Sequence, residues 1–566
     1  MYNPRLYLNC SVSKFFLSEN ASDGTNMVIR QQYTTESNND GLGSITAFTA
    51  IIAGILINAI LHYSFCKSSS VVSLKRRFLN TKTVSRILAF LVLVISLPLV
   101  ILFLVLALCY KLLCLVIIRR RDKHFVGFLD SFDVFWSLED DATINVIGVI
   151  ESDSPEKLVN NIKVKLQNIA VANNGIEKIF YRRNEEYGFY YWRKYSLVDV
   201  SQYVEVIDLP DKSELTVVDL EDVMDEISNQ SLPYENEGLF KIFVTKQRMG
   251  NQDDERGEYG IIFVIHHSVG DGVALLEFLC ETLADRHETH PVNMFAVPEA
   301  RINDTPAALM DMMLKLCEIP LCFVDTILRK PDENSLHGPS LLGKKSFRWT
   351  ESDENLLAMV KEIKDNVDNL NFSDILATAL SSGLHNYFTK TMAHVPEDLA
   401  VIVPVRFPKS SSINTNLLMK NDFSVTILEL PIKDKRNLNE IKSRCDNLRK
   451  SADPLSNHYF IKLVSILPRQ ILQPLLNSTV ATMVFSNMPG PNQLSICGGN
   501  VLKELVFFVP HKGNTGLDVT ALCYGGVLRL AASADRALIP DPELLSFILD
   551  GMVCEIKRLH NQYAKK

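Results

Sequence analysis

Two adjacent histidines mark the stretch of this chain whose residues are suited to acid–base chemistry. His266 and His267 follow the apolar run Ile261–Ile265, and the glycine-rich segment Ser268–Gly272 comes directly after them. Histidine has an ordinary pKa near neutral pH, so it can take a proton from a hydroxyl group and later return it. The His-x-x-x-Asp-Gly spacing that begins at His267 therefore predicts a catalytic site with His267 as general base.

The residues around the histidines predict a strand, a tight turn and a helix. Ile261–Ile265 are apolar and rich in β-branched types, as in a buried strand. Gly270 and Gly272 bracket an aspartate, and apolar residues recur at helical spacing from Val273 to Leu283. The ends of buried strands at such turns are where α/β proteins place their binding and catalytic groups.

Three residues beside His267 have roles that follow from strand and turn geometry. Successive side chains of a strand point to opposite faces, so His266 is expected to point away from His267 and to support the turn or contact substrate. Asp271 could hold His267 in one tautomer, or it could stabilise the turn. Gly272 would allow close packing at the start of the helix.

The composition excludes several classes of partner and site. A chain of 566 residues is long enough for roughly three to four structural units. Its net charge of −8 argues against nucleic acid as the main partner. The eleven cysteines form no Cys-x-x-Cys pair or Cys/His cluster, so neither a metal site nor a disulfide framework is expected. Such cysteine usage is typical of a reducing compartment.

The front of the chain is predicted to be a tail followed by a membrane anchor. Residues 1–43 are polar, without a periodic apolar face, and are interpreted as a flexible tail. The anchor covers 44–123 and contains two apolar segments, 45–65 and 87–118, each long enough to cross a bilayer. A pair of buried core helices is the alternative, but such helices normally have a polar face, which neither segment has.

Basic residues on both sides of the second apolar segment bear on its topology. Residues 67–86 contain six basic and no acidic residues, and 119–123 are also basic. The positive-inside rule places both clusters in the cytoplasm. Both positions are satisfied if the first segment crosses the bilayer and the second, broken at Pro98, enters and returns as a hairpin. The tail 1–43 would then be lumenal.

From residue 124 the sequence changes to that of a folded α/β protein. Residues 124–300 and 346–566 are interpreted as two halves, joined by a partly amphipathic crossover at 301–345. The elements predicted for the first half are Thr143–Ile150, Pro155–Leu166, Glu177–Arg182, Leu239–Gln247, Gly260–Ile265 and 273–285. Those predicted for the second half are Glu354–Asn366, Ser373–Tyr387, Ala400–Pro404, Asp422–Leu430, Thr482–Ser486, Phe507–Val509, Gly516–Ala521, Val527–Ser533 and Pro540–Leu559.

Two motifs resemble those of a known enzyme family. Phe485–Pro491 reads FSNMPGP and resembles the SNxPGP motif of the wax ester synthase/diacylglycerol acyltransferase (WS/DGAT) family. His266–Gly272 reads HHSVGDG and is similar to the HHxxxDG active-site motif of that family. Val403–Arg406, Asn421 and Ser533–Asp535 fall where the family has further signatures. The resemblance covers roughly three quarters of the chain, from about residue 125 to the C-terminus.

The resemblance implies a fold and an activity. The fold is a two-domain α/β fold like that of chloramphenicol acetyltransferase, in the CoA-dependent acyltransferase superfamily, with a channel between the halves. The activity is transfer of a long acyl chain from acyl-CoA to a fatty alcohol or to diacylglycerol at a lipid bilayer, with no cofactor beyond the acyl-CoA substrate and no metal. Because acyl-CoA is charged and is made in the cytoplasm, the catalytic halves are expected on the cytoplasmic side of the endoplasmic reticulum membrane.

The resemblance also implies roles for individual residues. The candidates for stabilising the oxyanion of a tetrahedral intermediate are Ser486, Asn487 and Asn421. In this fold family the aspartate at position 271 more often pairs with an arginine and holds the turn. Pro489-Gly490-Pro491 is expected to form a rigid loop that shapes the channel. In one departure from the family, an Asn-Asp pair that opens a second-half helix is Ser373-Asp374 here.

Two other functions remain as alternatives. Amide-forming condensation domains share the HHxxxDG motif, but they work beside a carrier domain for which this chain has no room. A membrane-tethered lipid-binding or scaffold protein with a lapsed active site is the other alternative. Lapsed sites usually lose the base, whereas both histidines are present here.

Overall fold

The computed structural model describes residues 82–171, 175–230, 232, 238–250, 256–285, 318–319, 322, 329–351, 355–406, 419–433, 437–476 and 480–564. The predicted tail, the first apolar segment and most of the crossover lie outside the described residues. The chain divides into two units at Val84, and the fold described here belongs to the unit Ser85–Lys566.

The first described element is one long helix rather than a hairpin. Helix α1 (Lys82–Arg121) runs for 40 residues and contains Pro98. Its part from Ile95 to Arg121 is long and apolar enough to cross a membrane. The expected hairpin is wrong because a proline inside a helix removes one hydrogen bond without reversing the chain. If α1 crosses once, the basic clusters 67–86 and 119–123 lie on opposite sides of the bilayer, not together.

The first half contains four further helices and nine strands among its described residues. The helices are α2 (Ser131–Ser137), α3 (Pro155–Val171), α4 (Val217–Ser228) and α5 (Gly272–Phe278), the last continued by a π-helical turn, Leu279–Leu283. The strands are β1 (Phe125–Phe128), β2 (Thr143–Ser152), β3 (Arg182–Glu186), β4 (Phe189–Arg193), β5 (Val204–Ile207), β6 (Glu214–Leu215), β7 (Phe240–Thr245), β8 (Arg248–Met249) and β9 (Gly257–His266).

The second half contains six helices and eight strands within the described ranges. The helices are α6 (Leu356–Asn366), α7 (Phe372–Lys390), α8 (Leu438–Lys450), α9 (Asp453–Val464), α10 (Arg469–Leu476) and α11 (Glu543–Tyr563). The strands are β10 (Lys345–Trp349), β11 (Asp398–Arg406), β12 (Phe423–Pro431), β13 (Met483–Pro489), β14 (Leu494–Ile496), β15 (Asn500–Phe508), β16 (Leu517–Tyr524) and β17 (Val527–Asp535).

Two six-stranded sheets organise the fold, and the chain exchanges strands between them. The first sheet has the order β14-β15-β2-β9-β7-β5, and the second has the order β10-β17-β16-β13-β11-β12. Strands β14 and β15 belong to the second half in sequence, yet β15 pairs antiparallel with β2 of the first half. The approach is close, since a Cβ added at Gly148 of β2 would lie 2.5 Å from the carbonyl oxygen of Glu504. The first sheet is therefore complete only when both halves are folded.

Strand β9 has core on both of its faces. Ile261, Phe263 and Ile265 belong to one apolar cluster, and Ile262 and Val264 belong to another. This alternation explains why the strand reads as a continuous apolar run. It also determines the face on which each of the following histidines lies.

The strand predicted over 177–182 is not formed. Residues Ile176–Phe180 form a 3₁₀ helix instead. Gly175 turns the chain with φ 92°, and its N–H donates to the Glu177 carboxylate at 2.7 Å. Glu177 also forms an ion pair with Lys194 at 3.2 Å. These local bonds hold the turn, and the strand begins only at β3. The other predicted elements are present with shifted ends.

At Ser373-Asp374, where the sequence departs from the family motif, the aspartate caps the start of helix α7. Asn371 is the N-cap of α7, and Asp374 accepts from the backbone N–H of Asn371 at 3.0 Å, in a reciprocal capping box. Asp374 is fully buried and also pairs with Arg449. The aspartate thus serves to start the helix and to join it to α8.

Candidate active site

The two histidines lie where β9 turns toward α5. The backbone N–H of His267 donates to the carbonyl oxygen of Ala142 at 2.8 Å. The pairing of β9 with β2 thus continues one residue past the end of β9. His266 and His267 are both buried. Since side chains alternate along a strand, His267 continues the series of Phe263 and Ile265 on one face, and His266 lies on the other.

Asn421, from the second half, holds His267 in one tautomer. Its Nδ2 donates to Oδ1 of Asp133 and to the carbonyl oxygen of His267, each at 2.8 Å. Both partners are acceptors, so the amide Oδ1 faces Nδ1 of His267, 3.0 Å away. Nδ1 therefore carries the proton. No protein group among the described residues takes the lone pair of Nε2, which is the atom a general base uses.

A buried ion pair anchors the amide of Asn421. Asp133 of α2 is fully buried, and its Oδ2 lies 2.7 Å from Nζ of Lys178. Burial raises the pKa of the Asp133 carboxyl, while Lys178 and the hydrogen bond from Asn421 oppose this rise. No sequence motif marks Asp133 or Lys178, because they meet His267 only through the fold.

Aromatic side chains cover His267. The Trp136 ring stacks on the imidazole with 4.1 Å between centroids and 18° between planes, and Phe423 lies 5.6 Å away on β12. Phe132 in turn contacts Phe423 at 5.2 Å. Sequence reasoning missed Trp136 and Phe132, although an aromatic-rich segment at 132–136 was visible. These rings shield the imidazole of His267 from water.

Burial keeps His267 neutral. Removal from water lowers the pKa of His267 to about 4, and hydrogen bonds to its own carbonyl oxygen and to Asn421 oppose this shift. The imidazole is therefore unprotonated at neutral pH. When it takes a proton, the resulting imidazolium is stabilised through Nδ1 by Asn421.

His266 has the opposite tautomer and no free nitrogen. The backbone N–H of Ser268 donates to Nδ1 of His266 at 3.2 Å, so the proton is on Nε2, which faces the carbonyl oxygen of Glu139 at 3.0 Å. Nδ1 of His266 also accepts from the hydroxyl of Ser268 at 2.8 Å. Burial and nearby Arg183 lower the pKa of His266 well below its ordinary value. The geometry agrees with the expected supporting role of His266 in the turn.

Asp271 caps α5 and joins the two halves. Its Oδ1 accepts from the backbone N–H groups of Val273 and Ala274 at 3.1 and 2.9 Å. Its Oδ2 accepts from the backbone N–H of Asp422 at 2.9 Å. Its hydrogen-bond partners are thus backbone amides, and the expected arginine contributes at longer range, where Arg406 lowers the pKa that burial raises. Asn421, not Asp271, contacts the Nδ1 of His267.

Gly272 lets the second half approach the start of α5. A Cβ at this position would lie 2.8 Å from Sδ of Met488. Met488 belongs to the FSNMPGP segment, most of which forms β13. The two family-like motifs, far apart in sequence, are therefore in contact in the fold.

The three oxyanion candidates differ in what the structure allows. Both N–H groups of Asn421 are used by Asp133 and His267, so the expected donor role does not fit its hydrogen bonds. Ser486 is buried on β13 and Asn487 follows it. No hydrogen bond joins either side chain to His267 within the described ranges. The Nε1–H of Trp136 is buried and has no acceptor there, which makes it an unexpected further donor.

An apolar cavity extends along the face of β9 that carries His267. It contains about 610 Å³ of empty space, part of it open to solvent. Both halves line it with apolar groups: Ile144, Val146, Phe263, Ile265, Gly272, Leu275, Leu276, Phe278, Leu279, Leu283, Met488, Leu505, Phe507 and Leu522. Such a lining is suited to a hydrocarbon chain. Among the described residues, no three His, Cys, Asp or Glu side chains are grouped so as to hold a metal ion.

The comparison with protein families gives a match within the second half. Residues 419–558 match the family model described as the WS/DGAT C-terminal domain. The resemblance predicted from the FSNMPGP and HHSVGDG segments is confirmed by this match and by the fold. No curated protein gives a significant sequence match.

Solved structures share the fold of about three quarters of the chain. A wax ester synthase/diacylglycerol acyltransferase from Marinobacter aquaeolei VT8 superposes with a TM-score of 0.51 at 14% identity, over 77% of this chain and 100% of that chain. A trichothecene 15-O-acetyltransferase from Fusarium sporotrichioides gives 0.51 at 12% identity, over 76% and 95%. The first condensation domain of the CDA synthetase gives 0.50 at 15% identity, over 78% and 98%. The two-domain α/β fold is thus confirmed.

The depressed pKa of His267 predicts a loss of stability in mild acid. The folded chain binds this proton near pH 4 and the unfolded chain near 6.5, so the stabilisation is complete above about pH 6.5 and falls as the pH drops toward 4. Between pH 7 and pH 5 the expected loss is about 2 kcal/mol. Urea unfolding of wild type and His267→Gln in detergent should show a shallower pH dependence in the variant. Identical pH profiles would contradict a neutral, buried His267.

Proposed function

We propose that this protein is a membrane-anchored O-acyltransferase that moves a long acyl chain from acyl-CoA to a fatty alcohol or diacylglycerol. The observation that supports it most is the pairing of His267 with Asn421, which leaves Nε2 unprotonated. His267 lies on the same face of β9 as Phe263 and Ile265, which line the apolar cavity. The WS/DGAT domain match supports the substrate class. The fold-related Marinobacter protein carries both activities in its name.

The proposed reaction requires one base and one oxyanion donor. Nε2 of His267 takes the hydroxyl proton of the acceptor as its oxygen attacks the thioester carbonyl carbon. The tetrahedral intermediate then collapses, the carbon–sulfur bond breaks, and the imidazolium returns its proton to the CoA sulfur. Asn421 holds the ring throughout through Nδ1.

The oxyanion is proposed to accept hydrogen bonds from donors that have no other acceptor among the described residues. The Nε1–H of Trp136 is buried without an acceptor among the described residues, beside the base on which its ring stacks. Ser486 is a second candidate, because it lies two residues before Met488, which lines the cavity. An unpaired buried donor costs about 1–3 kcal/mol, which a substrate oxygen would recover.

The apolar cavity is proposed to hold the acyl chain. Its lining comes from β2, β9, α5 and the exchanged strand β15, and it lies on the His267 face of β9. A chain bound there would extend from the reacting carbonyl into the interface between the halves. The volume of the cavity would then limit the acyl length that the enzyme accepts.

The anchor is proposed to place the catalytic part on the cytoplasmic face of the endoplasmic reticulum. Acyl-CoA is charged and does not cross a bilayer unaided, so the catalytic part must share its compartment. Helix α1 is apolar enough to cross, and most of its described side chains from Leu88 to Phe103 are exposed. With α1 as a single crossing, residues 67–86 would be lumenal, contrary to the positive-inside expectation.

A lapsed, lipid-binding scaffold is the second candidate function. A protein with no catalytic role would need the cavity but not the tautomer control at His267. The ion pair of Asp133 with Lys178, the saturated amide of Asn421 and the free Nε2 all serve the base. These features favour an active enzyme.

His267→Ala is expected to lower ester synthesis by several orders of magnitude while expression and membrane association are retained. His266→Ala should lower the rate less but reduce stability, because it leaves the Glu139 carbonyl oxygen and the Ser268 hydroxyl without their partner. Labelled acyl-CoA and a panel of alcohols and diacylglycerol provide the assay, with thermal unfolding alongside. Equal rate losses would contradict the assignment of the base, and an unaffected His267→Ala would contradict acyl transfer at this site.

Filling the cavity should shorten the preferred acyl chain. Leu276→Trp adds bulk to the lining, so rates with long acyl-CoA should fall about tenfold or more while rates with short acyl-CoA change little. Val164→Trp is the matched control, because it adds a similar ring at an exposed position on α3, away from the cavity lining. A uniform loss across chain lengths in Leu276→Trp would show that the cavity does not hold the chain.

The orientation is tested by protease protection on sealed microsomes. The catalytic part should be digested from outside intact vesicles, because it faces the cytoplasm. A short fragment carrying α1 should survive until detergent opens the membrane. Protection of the catalytic part in sealed vesicles would overturn the cytoplasmic placement.

A further inference from the structure

The C-terminal part of helix α1, from Leu104 to Ile118, packs along the catalytic part. A stripe of its residues faces the domain at helical spacing: Leu104, Ala107, Lys111, Cys114 and Ile118. Leu104 and Ala107 pack against the apolar cluster that contains Val464, Leu467 and Leu472 of the α9–α10 region. Nζ of Lys111 donates to the carbonyl oxygen of Ser465 at 3.1 Å, between those two helices. The helix and the α9–α10 region are therefore in direct contact.

The free part of α1 is shorter than the full thickness of the bilayer core. From Ile87 to Phe103 there are 17 residues, which rise about 25 Å at 1.5 Å per residue. The hydrocarbon core of a bilayer is about 30 Å thick. Arg86 limits the apolar stretch on the other side. The crossing must therefore include the turn at Leu104 and Ala107, where the catalytic part is already in contact.

The helices on either side of Ser465 each expose two large apolar side chains. Tyr459 and Leu463 are one turn apart on α9, and Ile471 and Leu475 are one turn apart on α10. Each is 41–55% exposed. We call these four residues the apolar ridge. An exposed cluster of this kind costs free energy in water and is typical of an interaction surface.

The buried side of α9 faces the active site. Nδ1 of His458 donates to the carbonyl oxygen of Phe423 at 3.2 Å, and Ile461 packs in one cluster with Phe132, Trp136 and Phe423. Trp136 and Phe423 are the rings that cover His267. One helix, about 10 Å across, thus separates the apolar ridge from the aromatic wall of the base.

We propose that the apolar ridge of α9 and α10 is immersed in the lipid bilayer beside α1, so that a lipid acceptor reaches His267 along α9 without passing through water. This inference rests on the proposed membrane crossing of α1. The occupant is the bilayer itself, because the ridge lies on the two helices that flank Ser465, the contact of Lys111, and α1 exposes apolar side chains on both sides of Lys111.

Photo-crosslinking in the full-length protein tests the contact with lipid. A benzophenone amino acid is incorporated at position 463 or 475, and the protein is reconstituted in phosphatidylcholine vesicles that contain labelled lipid. Position 99, on the free part of α1, is the positive control. Position 197 is the negative control, because Leu197 is 89% exposed but lies near Tyr195, which stacks on His124 beyond the far end of α1. Positions 463 and 475 should label lipid several times more than position 197.

The outcomes separate this inference from the anchor. Lipid labelling at 99 with background labelling at 463 and 475 overturns the immersed ridge and leaves the anchor intact. Background labelling at all four positions overturns both. Crosslinking of 463 or 475 to a second copy of the chain, in place of lipid, also overturns the inference.

A kinetic test addresses the route of the acceptor. The double variant Leu463→Asp/Leu475→Asp should raise the KM for an acceptor dissolved in the bilayer about tenfold, because two immersed side chains lose their apolar transfer energy. Its rate with a short, water-soluble alcohol and its thermal stability should match those of wild type. Leu197→Asp is the control and should change neither KM. Equal losses with both acceptors would overturn the proposed route.

Discussion

The hydrogen bonds of a single amide support the rest of the site. Asn421 uses both of its N–H groups and its oxygen, on Asp133 and on the backbone and ring of His267. Because the amide is saturated, it can adopt only one orientation, and the imidazole can hold its proton only on Nδ1. Asn421 belongs to the second half and His267 to the first. The arrangement around His267 is therefore assembled only when the halves meet, and Lys178 fixes its remote end through Asp133.

Several features of the fold secure that meeting of the halves. Strand β15 completes the first sheet from the second half, Asp271 accepts from the backbone of Asp422, and Met488 packs against Gly272. Each contact joins a residue near His267 to the other half. The same interface leaves the apolar cavity between them. Structural support and substrate space are thus provided by one interface, so a change that loosens the halves would affect both the base and the cavity.

Burial lowers the pKa of both histidines, but it leaves them with different hydrogen bonds. Desolvation lowers the pKa of both rings. Both ring nitrogens of His266 are hydrogen-bonded, one to Glu139 and one to Ser268. His267 keeps one nitrogen unpaired among the described residues. The stacked ring of Trp136 protects that nitrogen from bulk water without competing for it. Two adjacent residues of the same type therefore have different roles, because the strand directs them to opposite faces.

The sequence alone determined the motifs, the apolar periodicity and the order of the elements. It predicted the buried strand and turn at 261–272 and the two-domain fold, because strand alternation and turn chemistry are local properties. The assignment of His267 as general base stays a prediction. It could not predict that Asn421 orients the base, that Asp133, Lys178 and Trp136 join the site, or that β15 enters the other sheet. It also indicated a hairpin at Pro98 where α1 is continuous. These features depend on contacts between residues distant in sequence, and only the tertiary structure brings such residues together.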